Sequence, residues 1–186
     1  MKIKKGDKLE EITLPTHEGV EFNLSQTSGK KVLLTFYRVA GCTFCNLRLL
    51  EFNKRFSELG SNFTHVGIFH SNVNLLKSNM KKHGDINFTV LADKDFKYFE
   101  KYEIERSWVK LMIAGLVKTF SIFPALIKGF MPIPLGGHFN TVVTDVLINE
   151  EGIVEEVLYA KKHAADHLPF NKVKSFNYLK KLLLLV

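Results

Sequence analysis

The sequence contains few of the residues that mark special classes of protein. Two of its 186 residues are cysteine, five are proline and one is tryptophan. So few cysteines exclude a small secreted fold held together by several disulfides. No apolar run reaches the roughly 20 residues that a membrane-spanning helix needs. The composition, 46% hydrophobic and 24% charged, is instead typical of a globular protein with a large core.

The charge is unbalanced but not clustered. Lysine and arginine together number 26 against 19 acidic residues, which gives a formal net charge of +7. Most of the excess is lysine, scattered along the chain in pairs such as Lys81 and Lys82. Scattered lysines usually solvate a surface, and we find no arginine-rich block or aromatic ladder. We therefore expect no nucleic acid among the partners.

Short β-rich runs alternate with segments of helical periodicity. Val32 to Tyr37 and Phe63 to Phe69 predict buried strands, and the segment between them predicts a helix that Gly60 ends. Further alternation leads to a β-hairpin over residues 142–159 and a terminal helix over 170–185. This order predicts an α/β fold, built as a single domain over residues 1–186.

An apolar insertion interrupts this alternation at residues 111–134. It is broken by Lys118 and Pro124 and is too short to span a bilayer, so we expect two short amphipathic helices. Extra cover for the core is one interpretation. The alternatives are a lid, a homodimer surface, or a patch that docks a partner or, less favoured, a membrane surface.

The two cysteines, Cys42 and Cys45, lie three residues apart where the first helix begins after a buried strand. Unpaired backbone N–H groups and the helix dipole stabilise a thiolate at this position. The thiol pKa of about 8.5 falls to between about 3.5 and 7.5 in such sites. The first residues are polar and lack the apolar core of a secretory signal, so we expect a cytoplasmic protein with reduced cysteines.

Two other interpretations of the cysteine pair remain open. Reduced cysteines are common core residues, so the pair could be structural. It could also form a zinc site with His163 and His167, whose spacing matches a two-cysteine, two-histidine ligand set. More than a hundred residues separate the two pairs, so we favour a surface loop for the histidines and expect neither metal nor cofactor.

Arg38 ends the predicted strand four residues before Cys42. A guanidinium close to the cysteines would lower a thiol pKa and could hold a polar peroxide or an anionic thiol. The alternative is an exposed cation at the end of a strand. Arg48, on the helix, is a weaker candidate.

The segment from Phe36 to Arg38, followed by Cys42 to Asn46, resembles the peroxiredoxin-like branch of the alkyl hydroperoxide reductase/thiol-specific antioxidant family. Residues 6–24 and 166–170 also resemble the thioredoxin-fold superfamily to which that branch belongs. The resemblance implies a thioredoxin-like three-layer α/β/α sandwich with an N-terminal extension and the helical insertion. It also implies a thiol-dependent oxidoreductase that reduces peroxides or exchanges disulfides.

The resemblance assigns the two cysteines in two ways. In the register of typical peroxiredoxins, Cys45 matches the attacking cysteine, with Cys42 at a threonine position and Arg38 at a proline position. In the thioredoxin register, Cys42 attacks and Cys45 resolves. Because Cys42 is nearer the helix start and we expect it to be the more exposed, we favour Cys42. A thioredoxin-like dithiol protein or glutathione would then reduce the oxidised pair.

Overall fold

The computed structural model describes residues 1–117, 127, 129–130 and 137–183. Its strands and helices are, in chain order, β1 (Thr13–Pro15), β2 (Glu21–Asn23), β3 (Lys31–Phe36), α1 (Thr43–Arg55), β4 (Phe63–Phe69), α2 (Val73–Met80), β5 (Thr89–Ala92), α3 (Lys97–Lys101), α4 (Trp108–Val117), β6 (Thr144–Ile148), β7 (Val154–Tyr159) and α5 (Phe170–Leu183).

The central sheet has the strand order β5-β4-β3-β6-β7. Strands β3, β4 and β5 are parallel, because helical crossovers return the chain to the same edge of the sheet. Strands β6 and β7 form the predicted hairpin, and β6 runs antiparallel to β3. Strands β1 and β2 pair separately as an N-terminal hairpin in which Leu14 lies opposite Phe22.

Strand β3 lies at the centre of this sheet with every residue buried. Successive side chains point to opposite faces of a strand. Leu33 packs into a cluster with α1, α2 and α5, whereas Leu34 and Phe36 pack into a second cluster with the N-terminal hairpin and α3. Both faces are therefore covered, which explains why this strand is apolar without alternation.

The α/β/α class predicted from the sequence is confirmed, with small shifts at element ends. Helix α3 begins at Lys97, because the preceding Phe96 has a positive φ of 60° and the Asp93 carboxylate accepts the N–H groups of Lys97 and Tyr98. In the insertion, α4 begins at Trp108, before the predicted start. The second predicted helix of the insertion falls mostly on residues outside the described ranges.

Candidate active site

The chain leaves β3 at the centre of the sheet and reaches α1 through residues 37–42. Cys42 has extended backbone dihedrals and is the N-cap residue of α1, as its position in the sequence predicts. Its Sγ accepts the backbone N–H of Cys45 at 3.3 Å. The thiol therefore occupies the place that a serine or aspartate side chain takes in an ordinary helix cap.

The two sulfur atoms lie 2.7 Å apart as free thiols, with the Cys45 thiol donating to the Cys42 Sγ. Both residues are buried, at 1% exposure for Cys42 and none for Cys45. Cys42 is the more exposed of the two, as expected, but only by this small margin. The loop residues Val39 and Ala40 join both cysteines in the core cluster, and Phe44 packs against it.

Arg38 is also buried, with no exposed surface, rather than a solvated cation at a strand end. Its guanidinium lies 5.5 Å from the centre of the Phe44 ring and interacts with both sulfur atoms. None of its nitrogens has an oxygen or nitrogen partner among the described residues. Burial would lower the pKa of Arg38, but the neighbouring sulfur atoms, first that of Cys42, raise it, so the cation persists.

The surroundings shift the pKa values of the two cysteines in opposite directions. Burial raises the pKa of Cys42, yet the Cys45 thiol, the Arg38 charge and the backbone N–H groups of Cys45 and Phe44 outweigh it and lower the pKa to about 6. Burial and the neighbouring Cys42 sulfur raise the pKa of Cys45 well above its ordinary value. At neutral pH the negative charge therefore resides on Cys42 and the shared proton on Cys45.

A group of buried polar side chains, overlooked in the sequence, holds the loop before α1. The Asn46 amide donates to the carbonyl oxygens of Ala40 at 2.8 Å and Cys42 at 2.9 Å. Asn79, on α2, donates to the same Ala40 oxygen at 2.7 Å. The Ala40 N–H donates to the Ser71 hydroxyl at 2.9 Å. The only sequence signal for this network was the position of Asn46 directly after the cysteine pair.

A second polar group lies along the sheet beneath α1. Burial raises the pKa of Tyr37, so its hydroxyl keeps its proton, and it lies 3.4 Å from Nε2 of His65. Burial lowers the pKa of His65 to about 3, so this ring is neutral. The Asp145 carboxylate accepts the hydroxyl of Thr35 at 2.8 Å. Burial raises the pKa of Asp145, but the adjacent His167 and other donors lower it by more. Its pKa falls to about 2.

The two histidines considered as zinc ligands do not join the cysteines. His167 Nδ1 pairs with the Asp145 carboxylate at 3.2 Å, and only 9% of its side chain is exposed. Residues 163–167 form the expected loop before α5, but the His167 side chain is directed inward from it. Within the described residues, we find no group of three or more histidine, cysteine, aspartate or glutamate side chains that could hold a metal ion.

Helix α4 presents an apolar surface beside the site. Of the nine large apolar side chains that are exposed in the described ranges, seven lie between residues 108 and 127. The opposite side of the helix packs through Ala114 into a small cluster that Phe44 also contacts. No helix within the described ranges combines the length and apolarity needed to cross a bilayer.

Comparison with known proteins gives a consistent result. The model of the AhpC/TSA family matches residues 5–157. A peroxiredoxin bcp from Coxiella burnetii is 33% identical over 105 residues, which are 56% of this chain and 69% of that protein. A peroxiredoxin bcp from Helicobacter pylori is 27% identical over 88% of this chain and 94% of its own length.

Solved structures agree with the fold. The peroxidoxin BcpB of Mycobacterium tuberculosis superposes with a TM-score of 0.69 at 17% identity, covering 95% of this chain and 97% of its own. A peroxiredoxin-like protein from Aquifex aeolicus gives the same TM-score at 14% identity, covering 98% of this chain and 89% of its own. Because the family model spans most of the sequence, the chain belongs to the AhpC/TSA family and is a peroxiredoxin-like oxidoreductase of the thioredoxin fold.

Proposed function

We propose that this protein reduces hydroperoxides, with Cys42 as the attacking thiolate and Cys45 as the resolving thiol. One observation carries the assignment. The Cys42 sulfur accepts both a helix N-terminal amide and the Cys45 thiol, which lies 2.7 Å away. A thiolate is the reactive form of cysteine, and this arrangement stabilises it at Cys42. The relatives named as peroxiredoxins support peroxide as the oxidant.

The reaction divides into two steps on the protein. The Cys42 thiolate attacks the terminal peroxide oxygen, so an S–O bond forms, the O–O bond breaks, and the departing alkoxide takes a proton from water to become an alcohol. Cys45 then attacks the resulting sulfenic acid. An S–S bond forms, and the hydroxyl leaves as water with the Cys45 proton.

Arg38 contributes charge to the first step. Its buried cation stabilises the Cys42 thiolate and offers N–H donors to the peroxide oxygens as negative charge develops on them. These donors have no oxygen or nitrogen partner among the described residues, which leaves them available to a polar substrate.

Burial of the cysteines favours a small oxidant over a protein disulfide. An attacking sulfur with 1% exposure excludes a bulky disulfide substrate more strongly than it excludes a small hydroperoxide. A thioredoxin-like dithiol protein or glutathione then supplies two electrons to the Cys42–Cys45 bridge. This half of the cycle requires the first turn of α1 to open locally. The reductants belong to a reducing compartment such as the cytoplasm.

Single and double serine variants test this assignment. In the Cys45→Ser variant, peroxide should leave a sulfenic acid on Cys42 that dimedone traps. In wild type, mild peroxide should give a two-proton loss on the peptide that contains both cysteines. The double variant has no thiol and is the matched control. Peroxide turnover that survives Cys42→Ser but not Cys45→Ser would assign the attack to Cys45 instead.

A parallel assay separates peroxide reduction from disulfide exchange. Wild type, supplied with a dithiol reductant, should consume an organic hydroperoxide and should reduce the disulfides of insulin more slowly. Faster reduction of insulin than of hydroperoxide would make thiol–disulfide exchange the main activity. The Cys42→Ser, Cys45→Ser double variant reports the background rate in both assays.

A second candidate role is self-association through α4. The exposed side chains of Trp108, Met112 and Leu116 form an apolar face, and the one charged residue of the helix, Lys110, is paired with Glu105 at 2.7 Å. A face rich in apolar residues and without free charge suits a second copy of the chain better than an anionic surface.

Sedimentation over a concentration series tests this role. Wild type should form dimers, and replacing Met112 and Leu116 together by serine should give monomers. Val20→Ser, at a side chain that is 63% exposed on the N-terminal hairpin turn, is the matched control and should leave the dimer intact. A wild type that stays monomeric at every concentration would contradict self-association through α4.

A further inference from the structure

The loop from Ala40 to Cys42 is held by its carbonyl groups as well as by its N–H groups. Asn46 sends one amide hydrogen to the Ala40 oxygen and the other to the Cys42 oxygen. The Cys42 oxygen also accepts the Asn46 backbone N–H at 3.0 Å, the first hydrogen bond of α1. One residue therefore fixes the peptide plane that follows Cys42 from two directions.

The orientation of the Asn46 amide is set by its surroundings. Its Oδ1 atom accepts the Asn79 amide at 2.7 Å and lies 2.7 Å from Nε2 of His83. Its Nδ2 atom faces two carbonyl oxygens, which accept and never donate. A flipped amide would place oxygen against the two carbonyl oxygens and nitrogen against the Asn79 donor, so these three contacts fix the donating direction.

We propose that Asn46 is a positioning residue for the attacking thiolate: it holds the backbone of residues 40–42 so that the Cys42 sulfur stays against the N-terminal amides of α1. The proposal rests on the assignment of Cys42 as the attacking cysteine. Asn46 does not touch the sulfur, and nothing in the cysteine spacing requires an asparagine at this place. Its effect passes through the Cys42 carbonyl, which belongs to the residue whose sulfur accepts the Cys45 N–H.

Loss of the Asn46 amide should release the sulfur as well as the loop. Without the two donors, the peptide plane after Cys42 is held only by the helical hydrogen bond. Rotation of this plane moves the Cys42 sulfur away from the amides that stabilise its charge. The thiol should then titrate closer to a free cysteine, whose pKa is about 8.5.

The pH dependence of Cys42 alkylation tests the proposal. Wild type should show an inflection near pH 6. Asn46→Ala and Asn46→Asp should each move it upward by at least about one unit and slow alkylation at pH 7 several-fold. Asn53→Ala is the matched control, because Asn53 lies on the same helix and also donates to a carbonyl, that of Asp85 at 2.8 Å, away from the cysteines. It should keep the wild-type profile.

The outcomes distinguish a failure of the Asn46 proposal from a failure of the Cys42 assignment on which it rests. If Asn46→Ala lowers the melting temperature but keeps the inflection near pH 6, Asn46 is merely structural and the positioning role is overturned. If wild type itself titrates like a free thiol, the thiolate assignment of Cys42 has failed. Should the alanine variant not fold, Asn79→Ala removes one donor to the Ala40 carbonyl and the donor to Asn46 Oδ1, while both Asn46 donors stay in place. It should give a smaller upward shift, and no shift there would overturn the proposal.

Discussion

Replacing Arg38 by methionine removes the cation beside the cysteines while keeping an unbranched side chain. An opposite charge within about 4–6 Å of an ionisable group typically moves its pKa by 1–3 units. Because Arg38 is fully buried, solvent screens its charge weakly. We therefore expect the pKa of Cys42 to rise from about 6 to about 8 in the Arg38→Met variant.

This shift has a measurable effect on reactivity. A thiol with a pKa of about 6 is roughly 90% ionised at pH 7, and one with a pKa of about 8 is roughly 10% ionised. Alkylation of Cys42 by iodoacetamide at pH 7 should therefore slow by about tenfold, and the two rates should converge above pH 9. Peroxide consumption should fall at least as far, since the variant also lacks N–H donors for the peroxide.

The comparison needs a variant with the same change in net charge. Arg55→Met serves, because Arg55 is the last residue of α1, at the end opposite Cys42, and pairs with Glu58 at 2.8 Å. Its alkylation profile should match wild type. Identical profiles for wild type and Arg38→Met would refute the electrostatic role of Arg38, as would an equal shift in Arg55→Met.

Two further predictions concern the buried polar groups of the sheet. The folded pKa of His65 is about 3 against an ordinary value of 6.5, so below pH 6.5 the unfolded chain binds a proton that the folded chain does not. Wild type should lose about 1.4 kcal/mol of unfolding free energy per pH unit from this histidine down to about pH 3, and urea titrations of His65→Phe should lack that contribution. Asp145→Asn leaves His167 without its carboxylate partner and should destabilise the fold by about 3–5 kcal/mol at pH 7. A loss below about 1 kcal/mol in urea titrations would contradict the importance of this pair.

The local pattern of the sequence was sufficient to predict the sheet and its helices. Phe63 to Phe69 forms a strand with the predicted bounds, and Gly60 follows the end of the first helical segment. These features depend on periodicity and on residues with special backbone preferences, both of which are local. The place of Cys42 at a helix start follows from the same kind of signal.

Contacts between distant segments could not be predicted in the same way. Burial of Cys42 depends on core residues that the fold brings in from elsewhere in the chain, such as Val143 on the approach to β6. The pairing of His167 with Asp145 joins residues 22 positions apart, and neither identity nor spacing indicates it. Asn46 looked like an ordinary polar helix residue, because its partner Asn79 is supplied by α2.

The proton that Cys45 donates to Cys42 has a consequence for the redox potential. Between about pH 6 and the raised pKa of Cys45, the reduced pair holds one proton, so its oxidation releases two electrons but only one proton. The midpoint potential should therefore fall by about 30 mV per pH unit in this range, half the slope of an ordinary dithiol. Acidification below about pH 6 restores the second proton and the steeper slope. Around neutrality, the reducing power of this pair should therefore change with pH half as steeply as that of an ordinary dithiol.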